Sequence, residues 1–197
     1  MLMTTRTRKS KPSLSDAIYK HSPIKRGIVV VKNEDRPLTN VDKIMSRLYL
    51  GNNKAAKDPE FFKSKKIKAV LNCSKDIPNT FRNSKDIEYM RIPIDDSLKE
   101  VDFEKAYLFM PAAVEFIYKH VVIEKNPCFV HCWAGRQRSA AMITAFLMCK
   151  MGMTPTEACK FIVDHRPEAF HFGLSLNFEK SIQKYYKDLQ KCKPKRK

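Results

Sequence analysis

CFVHCWAGRQRSAAMITAFLMCKMG, from Cys128 to Gly152, is the stretch that decides the fold. Asn126 and Pro127 just before it are a turn signal, and Cys128 to His131 form a short apolar run that reads as a buried strand. From Ser139 to Met151 apolar residues fill nearly every helical position and stop at Gly152, as in a buried helix closed by a glycine. The reading is strand, tight loop, helix. A loop that closes onto a helix N-terminus leaves backbone N–H groups unpaired at the positive end of the helix dipole, so it suits an anion. Gly135 lets that loop turn without a Cβ in the way. A cysteine at the mouth of the loop, here Cys132, is stabilised as thiolate by the dipole, the loop amides and nearby cations. Cys132 then acts as a nucleophile at neutral pH.

Arg138, six residues on, can fold over the loop and offer a planar pair of N–H donors to two phosphate oxygens. Ser139 can donate its hydroxyl to the cysteine sulfur and help the thiolate leave when an intermediate breaks down. The chemistry implied is attack on phosphorus through a phosphocysteine. The plain alternative makes Cys132 an inert core cysteine and Arg138 a surface charge; it leaves the glycine, the serine and the following helix without a common cause. Cys-x5-Arg-Ser with His131 before the cysteine resembles the signature of the cysteine-dependent protein tyrosine phosphatase superfamily. The resemblance implies a phosphate cradle made by His131, Trp133, Ala134, Gly135, Arg136, Gln137 and Arg138, with Cys132, Arg138 and Ser139 catalytic. Gln137 departs from the pattern, since the family mostly has Ser, Gly or Asn before the arginine. Trp133 is expected to pack beneath the loop.

At 197 residues the chain suits one domain of ordinary size with short extensions. Tyrosine-specific members of the superfamily need a larger domain, so size points to the compact dual-specificity branch. No run of about 18 apolar residues is present, which argues against a membrane span, and the start of the chain lacks an apolar signal segment. Six cysteines (73, 128, 132, 149, 159 and 192) form no Cys-x2-Cys pair and have no companion histidines at zinc spacing. Histidines 21, 120, 165 and 171 read as ordinary. The mechanism calls for no metal and no cofactor, and a reactive thiol is consistent with a reducing, intracellular compartment, cytoplasmic or nuclear. Of the net charge of +17, residues 1–27 carry +6 and residues 187–197 carry +5. Such basic tails are usually solvated ends; contact with nucleic acid or anionic lipid is the sharper reading.

Taken in order, residues 1–40 form a basic extension with a helix expected at Leu14 to His21 and an apolar run at Ile28 to Val31. A catalytic domain is expected over 41–190, with a basic tail at 191–197. Within it, Ile44 to Leu50 reads as one strand ending at Gly51, Asp58 and Pro59 start a helix to about Lys65, and Ile67 to Cys73 and Glu88 to Ile94 read as strands. Cys73 reads as a buried strand cysteine. Asp102 to Tyr107 reads as a helical turn, with a longer helix starting at Pro111. Thr154 to Glu157 is a capping box opening a helix that ends at His165 to Pro167, and the final helix runs from Asn177 to about Gln190. Strands alternating with helices predict an α/β fold: a central, mostly parallel sheet flanked by helices, with the reactive loop at its carboxyl edge.

The order RLYLGN, VLNCS, YMRIPIDD resembles the dual-specificity phosphatase domain. The leaving oxygen of a phosphate monoester needs a proton, and the family's general acid lies about 30 to 35 residues before its cysteine, just past an Ile-Pro-x-x pattern. That register puts the acid at Asp96, with Asp95 as its neighbour. Ala140 to Lys150 and the N-terminal helix look most like poxviral members of the branch, which implies a viral source and a homodimer through the arm. The expected activity is removal of phosphate from tyrosine and from serine or threonine in phosphoprotein substrates. An RNA 5′ phosphate or a phosphoinositide as substrate, raised by Arg136 and the basic tails, is the rival. A phosphate-binding module without catalysis is disfavoured, because Cys132 is present.

Overall fold

The computed structural model describes residues 37–95, 97, 99–170 and 176–192. The expected helix at Leu14 to His21, the run Ile28 to Val31, Asp96 and residues 193–197 lie outside the described residues.

Among the described residues five strands make one sheet: β1 (Val41–Met45), β2 (Leu48–Gly51), β3 (Ala69–Asn72), β4 (Glu88–Arg91) and β5 (Cys128–His131), in the order β1-β2-β5-β3-β4. β1 runs antiparallel to β2, and every other neighbouring pair is parallel. All residues of β3 and β5 are buried. Strands covered on both faces carry continuous apolar runs, which is why these two were legible. The single strand expected over Ile44 to Leu50 is instead a hairpin, with Met45 opposite Leu48 and Arg47 in the left-handed region at φ 65°. Ile44, Leu48 and Leu50 all reach the core in the hairpin, so their alternation does not separate the two arrangements. An arginine at positive φ also gives none of the Gly or Asn signals of a tight turn.

Helix α1 (Pro59–Lys65) begins as expected, with the Asp58 carboxylate accepting from the backbone N–H of Glu60 and Phe61. Its Phe61 and Phe62 pack edge-on against Phe129 and form a small cluster on one face of the sheet. The other face carries the main core, built by α2 (Glu100–Tyr118), α3 (Arg138–Met151) and α5 (Leu176–Lys191). α4 (Pro155–His165) opens on the expected capping box at Thr154 and Glu157.

The expected break at Pro111 is absent: α2 is one helix with that proline inside it, extended by a π-helical turn over Lys119–Ile123. Pro111 is exposed, so the Tyr107 carbonyl that loses its partner lies on the solvent side. Ala106, Met110, Ala113, Val114 and Ile117, all buried, keep the helix continuous across the proline. Glu100–Ile123 is long and apolar enough by composition to cross a bilayer, but its inner face is spent on packing against α3 and α5. α3 is buried through almost its whole length and closes at Gly152, φ 71°, as the sequence pattern indicates.

Candidate active site

β5 lies between β2 and β3, and its end delivers Cys132 to the loop that closes onto α3. The Ser139 hydroxyl lies 3.2 Å from the Cys132 sulfur, and only 2% of Cys132 is exposed. Burial works against a charge on this sulfur, but Arg138, the Ser139 hydroxyl and the backbone N–H groups of Ser139 and Gly135 outweigh it, so the thiol is held below its ordinary value. Other buried thiols go the opposite way. Burial, together with the nearby Cys132, pushes Cys73 well up, burial alone raises Cys128, and burial lifts Cys159 to about 11. An inert core cysteine would behave as these three do.

Arg138 opens α3, and the helix start carries no side-chain cap at Gln137, which leaves its first N–H groups for an anion. One guanidinium nitrogen of Arg138 donates to the Ile94 carbonyl at 3.3 Å, while its Nε is buried with no hydrogen-bond partner among the described residues. Gly135 sits at φ 66°, and a Cβ there would come within 2.5 Å of the Gly51 carbonyl oxygen. The loop is thus pressed onto the end of β2, where Asn53 N–H also donates to the Trp133 carbonyl at 3.0 Å.

His131 is buried with its ring stacked on Phe129. Burial brings its pKa down to about 4, against a hydrogen bond with the Cys132 backbone that favours the charged form, and Arg91 adds to the lowering. The imidazole is therefore neutral at physiological pH. Trp133 does not pack beneath the loop as expected: it is 64% exposed. Beneath the loop lie instead the end of β2, at Gly51, and the buried Arg166 side chain, both close against Gly135. Ala134, Arg136 and Gln137 are half-buried, and the Arg136 carbonyl accepts from Phe170 N–H at 3.0 Å. Asp95, at the end of the segment that meets Arg138 through Ile94, makes a 3.1 Å ion pair with Lys75, while Asp96 is outside the described residues.

Two residues that sequence reasoning passed over support the loop: Arg166 touches it directly, and Asp42 reaches it only through Arg166. Arg166, 1% exposed, donates from Nε to the Gly135 carbonyl at 2.8 Å and from a terminal nitrogen to Ala134 at 3.3 Å. Its other terminal nitrogen lies 2.7 Å from buried Asp42 of β1. Nothing local marks either one: Arg166 reads as a charged helix end and Asp42 as the polar side of a strand.

The chain matches the family described as dual specificity phosphatase, catalytic domain, over residues 48–188. It is 34% identical over 147 residues to dual specificity protein phosphatase Mpk3 of Drosophila melanogaster, covering 73% of this chain and 34% of that protein. With dual specificity protein phosphatase 8 of Mus musculus it shares 32% over 151 residues, 75% of this chain and 22% of the relative. The chain thus spans about a third or less of the length of these two relatives. Its fold superposes on a mouse putative dual specificity phosphatase crystallised with zinc tungstate, with a TM-score of 0.65 and 27% identity over 82% of this chain and 94% of that one.

Proposed function

The chain belongs to the dual specificity phosphatase catalytic-domain family, and on that premise we propose that it dephosphorylates phosphotyrosine and phosphoserine or phosphothreonine in proteins through a phosphocysteine intermediate. The observation that carries the reading is Cys132: a buried thiol held low beside Arg138 and Ser139, where its buried neighbours are pushed up. In this reading the Cys132 thiolate attacks phosphorus while Arg138 and the loop amides from Trp133 to Gln137 hold the three phosphate oxygens. The P–O bond to the substrate breaks and its oxygen takes a proton from Asp96. Water then attacks the phosphocysteine, gives a proton to the Asp96 carboxylate, and the Cys132 thiolate leaves under the Ser139 hydroxyl. The Asp95 carboxylate is engaged by Lys75 at 3.1 Å, which supports giving the acid role to its neighbour Asp96.

The same reading takes residues 1–40 as a basic, dimer-forming arm, 41–190 as the catalytic domain and 191–197 as a basic tail open to nucleic acid or anionic lipid. Kinship with poxviral members, and with it a viral source, is supported by Ala140 to Lys150 and the N-terminal sequence; the fly and mouse relatives support only the wider family. All six cysteines are free, in keeping with a reducing compartment. RNA 5′-phosphate or phosphoinositide hydrolysis by the same site is the second reading, favoured by Arg136 beside the phosphate cradle.

Turnover of a panel of phosphopeptides, phosphoinositides and triphosphorylated RNA separates the two. Phosphopeptides are expected to be the best substrates. A phosphoinositide or RNA tenfold better, about 1.4 kcal/mol in transition-state binding, would overturn the protein-substrate assignment. Cys132→Ser is expected to lose turnover yet still hold phosphopeptide, since the loop amides and Arg138 remain. Undiminished turnover in that variant would remove the phosphocysteine.

A further inference from the structure

Arg166 is among the largest side chains fully removed from water, and a buried guanidinium is costly unless its donors are matched. Here they are matched by groups from two distant parts of the chain. Nε and one terminal nitrogen take the Gly135 and Ala134 carbonyls of the reactive loop; the other terminal nitrogen takes Asp42 at 2.7 Å and the Thr39 carbonyl at 3.3 Å. The Thr39 hydroxyl in turn donates to Asp42 at 2.6 Å, and Glu168 lies 3.9 Å from the guanidinium. The cation is thus clamped between the start of β1 and the underside of the loop.

A trans peptide points its C=O and N–H in opposite directions. When Arg166 draws the Ala134 and Gly135 carbonyls backwards, the N–H groups of the same two peptide units, those of Gly135 and Arg136, are turned to the other side of the loop. We propose that Arg166, anchored by Asp42, is a positioning residue that aims the loop amides at the reacting sulfur and at the phosphate. Independent support comes from the sulfur itself, because the Gly135 N–H is one of the groups that favours the Cys132 thiolate. The glycine also lets the clamp close: a Cβ on Gly135 would stand 3.1 Å from an Arg166 nitrogen as well as striking the Gly51 carbonyl. Arginine suits this place better than lysine, since only a planar fork reaches two successive carbonyls and a carboxylate at once.

The inference rests on the phosphatase reading, so its test must distinguish the failure of one from the failure of the other. The 197-residue chain and its Arg166→Lys variant are treated with iodoacetamide across pH 5 to 9, and labelling at Cys132 is followed by peptide mass spectrometry, with circular dichroism as the check on folding. Wild-type Cys132 is expected to react below the ordinary thiol range. In folded Arg166→Lys, labelling at the acid end of this range should slow several-fold, up to the roughly tenfold limit that a rise of about one in thiol pKa sets, and inhibition by inorganic phosphate should weaken as well. Equal labelling and equal phosphate inhibition in the two proteins would overturn the proposal, even if the variant melts earlier, because a merely structural role moves only the melt. Should Arg166→Lys not fold, Asp42→Asn, which keeps the shape but releases the charge clamp, carries the same comparison: slower labelling supports the proposal and unchanged labelling overturns it. A wild-type Cys132 that labels only above pH 8 would defeat the phosphatase reading itself.

Discussion

At His131 burial favours the neutral imidazole in the folded chain, with a pKa of about 4, whereas the unfolded chain takes up its proton near pH 6.5. As pH falls through that window the unfolded state binds a proton that the folded state refuses, so stability drops, by about 3 kcal/mol between pH 6.5 and 4. Urea midpoints at pH 7, 5.5 and 4.5 should show this loss, and His131→Gln, which cannot titrate, should show a smaller one. An identical pH slope in the two proteins would deny that His131 is the group concerned. A second prediction at this scale concerns the two aspartates. Asp96→Ala should slow aryl phosphates with poor leaving groups by about a hundredfold and those with good ones by far less, since only the former need the proton. Asp95→Ala removes only a surface ion pair with Lys75 and should do little. Leaving-group dependence at Asp95 instead would shift the register by one.

Among the elements, α2 carries the clearest conflict between local preference and tertiary packing. Pro111 denies the Tyr107 carbonyl its helical partner, yet the buried face from Ala106 to Ile117 keeps the helix in one piece against α3 and α5. Pro111→Ala restores that bond at an exposed position, while the looser unfolded chain offsets part of the gain. A net stabilisation of about 1 to 2 kcal/mol is expected, read as a higher thermal midpoint with unchanged turnover. A lower midpoint would mean that the proline shapes α2 for its neighbours. Sheet order works at the same scale: β5 lies between β2 and β3, so the reactive loop leans on Gly51 from one side and has Cys73 on the other.

For the whole molecule the open matter is assembly. The sequence of the N-terminal extension leads us to expect a short helix at Leu14 to His21 and an extended run at Ile28 to Val31, elements too small to bury an apolar face alone, and Leu38, just before β1, is 76% exposed. Deleting residues 1–27 is therefore expected to convert a dimer into a monomer while turnover of a small aryl phosphate stays nearly unchanged. Light scattering that finds the 197-residue chain monomeric would end that idea.

Read alone, the sequence determined what depends on neighbours in the chain. Asp58 with Pro59 and Thr154 with Glu157 start their helices, Gly152 ends α3, and Cys128 to Ser139 make strand, loop and helix, because caps, turns and apolar spacing are local physics. Tertiary structure decided what depends on residues far apart. The hairpin at Arg47, the unbroken α2, the exposed Trp133 and the burial of Arg166 against Asp42 are set by contacts across the core. A buried arginine and a solvent-facing one have the same side chain and the same sequence neighbours; only folding, by bringing β1 and the reactive loop to either side of Arg166, gives its charge a place out of water.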